Sequence, residues 1–397
     1  MPVRRARPRP EAPGVHELGP PLVSAPTALA AILTIACLLW GWPGDPPRRA
    51  AGAEPTDLTR AFARAAETIR RHQSPAGYWK TPVTPGPLFQ SPTSELNVFT
   101  PAVIIDLLDP VSRETGLTDV LARAREYLRR QIEATGLVRY HGAPGTIDPA
   151  QRGCELPPDA DDTALLWRIA PRREKRLMSA ARREIERYRT DDGLYRTWLA
   201  DEGTYRCFYS RYAGNEWNPP DVAVEMHVYL FLAGHDPVAA GRLCEVLRRR
   251  MDDDRIWVWY SVAPLLPVLR EADLARKGCS LRVPESRVKR SVAGQEPYVT
   301  QARLLTSLLV NEGPAPSPEP YLRALRETAE GGFANMSSTP PLLYHNNLSA
   351  SPPHYHWSED FGYALWLRLY VETARRWSGS LPLPGASAKS DLSPLRR

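Results

Sequence analysis

Asp159-Ala160-Asp161-Asp162 sets three carboxylates within one turn, at the head of the apolar run Thr163-Ala164-Leu165-Leu166. Like charges this close raise one another's pKa, so the three do not all ionise at neutral pH and one can keep its proton. A carboxyl group held in that state suits delivery of a proton to a carbon–carbon double bond. The resulting carbocation needs a dry cavity and electron-rich faces, which aromatic rings supply at roughly 0.5–2 kcal/mol per contact. Trp217, Trp257, Trp259, Tyr260, Tyr298 and Trp357 stand close to the starts of apolar segments and are the candidates for that lining. Helix capping is the plainer use of the same aspartates, at about 0.3–1 kcal/mol each.

Other polar residues interrupt apolar sequence. Asp221-Val-Ala-Val-Glu225-Met-His227 carries Glu225 and His227 as helpers of the acidic turn, a separate acid–base pair, or a mutually satisfied buried pair. His345-Asn-Asn347 and His354-Tyr-His356-Trp357-Ser-Glu359-Asp360 crowd ligand-type side chains before the last apolar segment. Histidines bonding loop carbonyls are the expectation there, with His356 and Trp357 facing the substrate. No metal or other cofactor is expected, except Mg²⁺ on Asp252-Asp253-Asp254 if the substrate carries a diphosphate. The chain has no P-loop, no dinucleotide fingerprint, no G-x-S-x-G elbow and no H-E-x-x-H motif.

The elements that must position these residues announce themselves as a repeat. Ile69-x3-Gln73-x3-Gly77-x-Trp79 recurs as Leu128-x3-Ile132-x3-Gly136-x-Val138, then Ile185-x3-Arg189-x3-Gly193-x-Tyr195, then Leu247-x3-Met251-x3-Arg255-x-Trp257. Each copy ends a basic amphipathic stretch at a turn. A far more apolar segment follows each turn after a loop: Leu96–Leu108, Thr163–Ile169, Val222–Leu232 and Val262–Leu269, with Val299–Val310 and Phe361–Val371 beyond. Helices apolar on every side must be enclosed by protein. Six inner helices wrapped by six amphipathic outer ones satisfy the pattern, an all-α (α/α)6 toroid over residues 56–376. The fifth outer helix, within 272–295, is poorly marked. Connections from outer to inner helices are long and aromatic, holding Trp79, Tyr140, Tyr344 and Tyr355 among others, so the rim where inner helices begin is the expected active face.

D-x-D-D-T-A at Asp159–Ala164 resembles the signature of the class II terpene cyclases, which include the squalene–hopene cyclases. The segment through Gln73, Gly77 and Trp79 resembles their QW repeat, with Thr68 where an aromatic is usual. The resemblance implies an α/α toroid and proton-initiated cyclisation of a linear isoprenoid. Asp161 is then the proton donor, with Asp159 and Asp162 tuning and orienting it. Those cyclases bury substrate between two toroids, and this chain is long enough for one. A partner chain, a homodimer, the membrane or the aromatic loops must then close the cavity. Two rival uses of such a ring are a carbohydrate-active enzyme, with Asp161 or Asp162 opposite Glu225 or Glu359, and a non-catalytic binding module.

The 397 residues are 43% hydrophobic and 24% charged, a globular composition, but 41 prolines imply stiffened loops. The net charge of +6 is mostly terminal: residues 1–20 and the stretch after Trp377 carry +2 each, leaving the body near neutral. That excludes a dedicated nucleic-acid surface. The five cysteines show no framework spacing and read as small buried hydrophobes. Residues 22–42 hold no charge and are long enough to span a bilayer. The expected order is a basic arm (1–21), a single-pass anchor (22–42), a linker (43–55), the toroid and a disordered tail (377–397). Arginines before the anchor favour a cytoplasmic N-terminus with the body outside.

Overall fold

The computed structural model describes residues 57–143, 156–202, 204, 217–310, 317–346, 348 and 352–383. The expected arm, anchor and linker lie outside them, as does the tail after residue 383. No described helix is long and apolar enough to cross a membrane.

The described residues are mostly helical. Six helices line the centre: α2 (Phe99–Leu108), α4 (Ala160–Ile169), α6 (Val222–Ala233), α8 (Leu265–Arg276), α10 (Glu296–Val310) and α13 (Glu359–Arg376). Each packs on the next, and α13 packs back on α2, so the ring is closed. Burial explains their composition: every residue of α6 from Val222 to Leu232 is buried, including Glu225 and His227. Helices α1 (Asp57–His72), α3 (Thr118–Gln131), α5 (Lys175–Arg187), α7 (Pro237–Arg250) and α11 (Glu319–Ala329) pack outside. In α1 the buried residues Leu58, Phe62, Ala65 and Ile69 follow helical spacing, and Arg70, Arg71 and His72 complement the C-terminal end of the dipole. The weakly marked fifth outer position holds only the short α9 (Glu285–Val288). One further short helix, α12 (Ala334–Ser338), precedes α13.

The repeat ties neighbouring outer helices together. Gln73 Nε2 donates to the Val120 carbonyl (2.8 Å), Arg123 Nη2 donates to Gln73 Oε1 (2.9 Å), and Trp79 Nε1 donates to the Ile69 carbonyl (3.0 Å). One glutamine thus joins α1 to α3. Gly77, Gly136 and Gly193 all take positive φ, in the turns five to six residues beyond the ends of α1, α3 and α5 and not as the helix caps the spacing suggested.

The all-α expectation needs one amendment. Four short strands, β1 (Thr81–Thr84), β2 (Thr93–Glu95), β3 (Leu342–His345) and β4 (Tyr355–Trp357), form an antiparallel sheet in the order β2-β1-β4-β3. They come from the first and last long rim loops, which meet because α13 and α2 are ring neighbours. The reading of the cysteines is also corrected, since Cys244 and Cys279 form a disulfide across 35 residues of sequence. The packed body also runs past the expected boundary at 376: Leu381 is buried, and Tyr370 Oη donates to the Pro382 carbonyl (2.9 Å).

The turn glycines differ in how closely they are packed. A Cβ on Gly136 would lie 2.2 Å from the Leu177 carbonyl oxygen, whereas one on Gly116 would meet nothing within 4 Å. Gly136→Ala should therefore destabilise by at least roughly 2 kcal/mol, from backbone strain plus displacement of α5. Gly116→Ala should cost only about 1 kcal/mol. Equal denaturation midpoints for the two variants would contradict this packing.

Candidate active site at the acidic turn

The acidic turn opens α4 and is built partly as a cap. Asp159 has extended backbone, and its Oδ1 accepts from the Asp162 amide (2.7 Å), so the capping role is real. Asp159 Oδ2 and Asp162 Oδ1 are buried without a partner among the described residues. Burial, reinforced by the Asp161 charge, pushes Asp159 up to about 8. Burial and the charges of Asp159 and Asp161 push Asp162 well above the carboxylate range.

Asp161 is held differently. Its Oδ1 is hydrogen-bonded to Nδ1 of His227, a fully buried residue of α6. The other ring nitrogen, Nε2, receives a hydrogen bond from Arg270 Nε on α8 (2.7 Å). A guanidinium has no acceptor, so Nε2 must be bare and the ring proton must sit on Nδ1, directed at Asp161. Burial lowers the His227 pKa against the opposing pull of Asp161, which keeps the ring neutral. Arg270 is itself paired with Asp106 of α2 and with Asp273 (3.0 Å). Asp106 also takes a bidentate pair from Arg168 of α4 (2.7 and 2.6 Å). Burial would raise Asp106, but Arg168 and Arg270 hold it well below the ordinary range. Four successive inner helices thus contribute to one buried network ending at Asp161.

Asp159, Asp161 and Asp162 line a pocket of about 300 Å³, at the small end of ligand sites. Phe99, Tyr140, Trp198, Trp259, Tyr260 and Tyr344 provide aromatic walls, and Glu95, His141, His345, His354 and His356 gather towards the sheet. Of the residues expected to bind substrate, Trp259, Tyr260 and His356 are in the lining, and His227 lies directly behind Asp161. The remaining five are not in the lining. Trp257 Nε1 donates to the Met251 carbonyl (2.8 Å), with Arg287 over its ring. Trp357 Nε1 donates to Thr84 Oγ1 (2.9 Å) inside the sheet region. Tyr298 Oη donates to the Thr339 carbonyl (2.8 Å) and lines a different cavity. Glu225 is buried behind the rim, accepting from the Tyr195 amide (2.6 Å). Trp217 is half-buried outside the lining.

Two further candidates are occupied elsewhere. Asp253 and Asp254 pair with Arg250, Arg255, Arg287 and Arg290, away from the pocket. Glu359 accepts from Ser337 and Tyr363 (both 2.9 Å) and does not face the acidic turn. His345 bonds Ser261 Oγ (2.9 Å) and the Asn346 carbonyl (2.6 Å), the loop-bonding role expected of it. Sequence reading missed Glu95, Phe99, Trp198 and Arg270. For Phe99 the available signal was its place at the start of the first inner helix.

No sequence-family model matches the chain, and no curated protein sequence matches it. Solved structures do. A variant of the type II terpene cyclase MstE from Scytonema, in complex with geranylgeranyl dihydroxybenzoate, superposes with a TM-score of 0.50 at 17% identity, covering 81% of this chain and 98% of that one. Apo MstE matches with a TM-score of 0.47 at 16% identity, over 81% and 99% of the two chains. A protein from Actinoplanes gives 0.44 at 16%, over 80% and 99%. The fold is class II terpene cyclase-like. Nearly the whole of the MstE chain is spanned by this match.

The raised Asp159 has a consequence for stability. Between its ordinary 3.8 and its folded value of about 8, the folded protein binds a proton that the unfolded chain releases. Its contribution is therefore fully present at low pH and is lost progressively as pH rises through this window. Asp159→Asn keeps a capping oxygen but cannot titrate. In denaturant unfolding at pH 5 and pH 8.5, the variant should lose less stability with rising pH than the wild type. Identical slopes would contradict the burial of this carboxyl.

Proposed function

We propose that the protein is a class II terpene cyclase that starts cyclisation of a linear isoprenoid by protonating an alkene from Asp161. The observation that carries this reading is the division of labour at that carboxyl group. His227 donates to Oδ1, and no described residue bonds Oδ2, the oxygen that carries the proton in this proposal, in a side chain that lines an aromatic pocket. In the proposed step the alkene π pair takes the Oδ2 proton, a C–H bond forms, and Asp161 is left as a carboxylate stabilised by the His227 N–H. The tertiary cation then meets the faces of Phe99, Tyr260 and Tyr344. MstE binds geranylgeranyl dihydroxybenzoate in its complex; a polyprenyl chain is the corresponding class for this pocket. The carboxylate pairings expected for a carbohydrate-active enzyme do not form, because neither Glu225 nor Glu359 lines the pocket with Asp161.

We further propose that residues 22–42 anchor the enzyme beside the lipid phase in which such substrates dissolve. The Cys244–Cys279 disulfide favours an oxidising compartment for the ring, which agrees with the arginine bias before the anchor. Closure of a loop of this length contributes about 3–4 kcal/mol in the chain-entropy model. Non-reducing peptide mapping should recover a Cys244–Cys279 cross-link, and dithiothreitol should lower stability by that order. Two free thiols at these positions in protein from its native host would argue for a reducing compartment.

The function itself is tested with Asp161→Asn. Purified protein is offered geraniol, farnesol, geranylgeraniol, their diphosphates and squalene, with products read by mass spectrometry. The wild type should cyclise at least one. The variant should lose about 10²–10⁴-fold in rate with its helical circular dichroism unchanged. Full activity in the variant would remove Asp161 from the mechanism.

A further inference from the structure

The pocket has a second polar end that the initiating acid does not use. Glu95 closes β2, and its two oxygens are treated unequally. Oε1 collects hydrogen bonds from Tyr140 Oη, Asn97 Nδ2 (3.2 Å) and His356 Nδ1 (3.2 Å). Oε2 has only His141 Nε2 nearby, at 3.9 Å. Tyr140 is linked in turn to Tyr344 Oη, and Tyr344 stacks on His356 with ring centroids 4.5 Å apart and planes 16° apart. This cluster therefore fixes one carboxylate oxygen and leaves the other uncommitted, on a side chain that lines the same pocket as Asp161. Phe99 and Tyr344, with centroids 5.1 Å apart, bridge the two ends, since Phe99 also lies 6.2 Å from the His227 ring.

Resting on the cyclase reading, we infer that Glu95 is the terminating base, taking the proton that the last carbocation must lose. Its step balances the first one. A C–H bond beside the final cationic carbon breaks, its electron pair becomes a new C=C double bond, and the proton goes to Glu95 Oε2. One proton enters from Asp161 and one leaves at Glu95, so the net reaction is an isomerisation. Solvent exchange then returns both groups to their starting states. Burial would raise the Glu95 pKa, but the His356 charge, the nearby His141 and the hydrogen bonds from His356 and Tyr140 hold it well below the usual carboxylate range. Such a weak base suffices, because a C–H bond next to a carbocation is a far stronger acid than any side chain. It also stays ionised at rest and does not draw the starting proton from Asp161. The polyene is thereby oriented, with its initiating alkene at α4 and its terminating carbon at the sheet.

Glu95→Gln tests this, using whichever polyprenyl alcohol, diphosphate or squalene the wild type consumes. The readout is the distribution of products formed from the substrate that the variant consumes, not the rate of consumption. The variant's olefin product should fall about 10²-fold, replaced by alcohols from water capture and by partly cyclised olefins. Glu95→Asp, which keeps a carboxylate but withdraws it by one methylene, should give an intermediate olefin share. Unchanged products from both folded variants would overturn the inference and leave Asp161 in place. Failure of the wild type to consume any of these substrates would overturn the cyclase reading and this inference with it.

Discussion

The hydrogen bond between His227 and Asp161 is the constraint on which the site depends. It is buried in a ring of apolar helices, and its direction is fixed from behind by Arg270. A guanidinium can only donate, so the imidazole must present its single proton to Asp161. That assigns different jobs to the two carboxyl oxygens. One is held as an acceptor; in the proposed reaction the other gives its proton to carbon, from a side chain that lines the aromatic pocket. Around it, Asp159 and Asp162 lie in surroundings that disfavour charge, so the acidic turn gains little negative potential from its neighbours.

Such a network needs a rigid frame, and the closed ring supplies it. Asp106, Arg168, His227 and Arg270 come from α2, α4, α6 and α8, four consecutive inner helices, so their spacing follows from helix packing. Removing one member of a buried charged network leaves its partner uncompensated, at a cost of about 3–5 kcal/mol. The network is thus coupled to the ring's integrity, while the rim loops remain free to shape the pocket. The sheet at the closure between α13 and α2 is where those loops have been stiffened. It places Glu95, Tyr344 and His356 in the lining of the same pocket as the acidic turn. The sheet and the acidic turn thus line the same pocket from one chain.

The ring was legible because its signals are local and repeated. Apolar segments such as Val222–Leu232 have no polar face, and the outer helices stop at turns of fixed spacing, so inner and outer layers could be told apart. The acidic turn was legible for the same reason. The sheet was not, because strands of three or four residues carry too few alternations to register, and the loops that pair are more than 250 residues apart. The disulfide joins cysteines with no motif between them. Trp257, Tyr298 and Trp357 were misplaced because nearness to a helix start says nothing of direction; each turned its polar atom to a carbonyl or hydroxyl elsewhere. Arg270 follows the apolar segment Val262–Leu269 with no motif around it, and only its position behind His227 gives it a role.

The most direct measurement is the tautomer of His227. Nitrogen-15 spectra of histidine-labelled protein, with its eight histidines and a His227→Gln variant for assignment, report each ring nitrogen separately. At neutral pH the account requires a protonated Nδ1 and a bare Nε2. An imidazolium with both nitrogens protonated would make Asp161 an ionised partner with no proton to deliver. A ring protonated only at Nε2 would contradict the Arg270 contact, and either result would contradict the account.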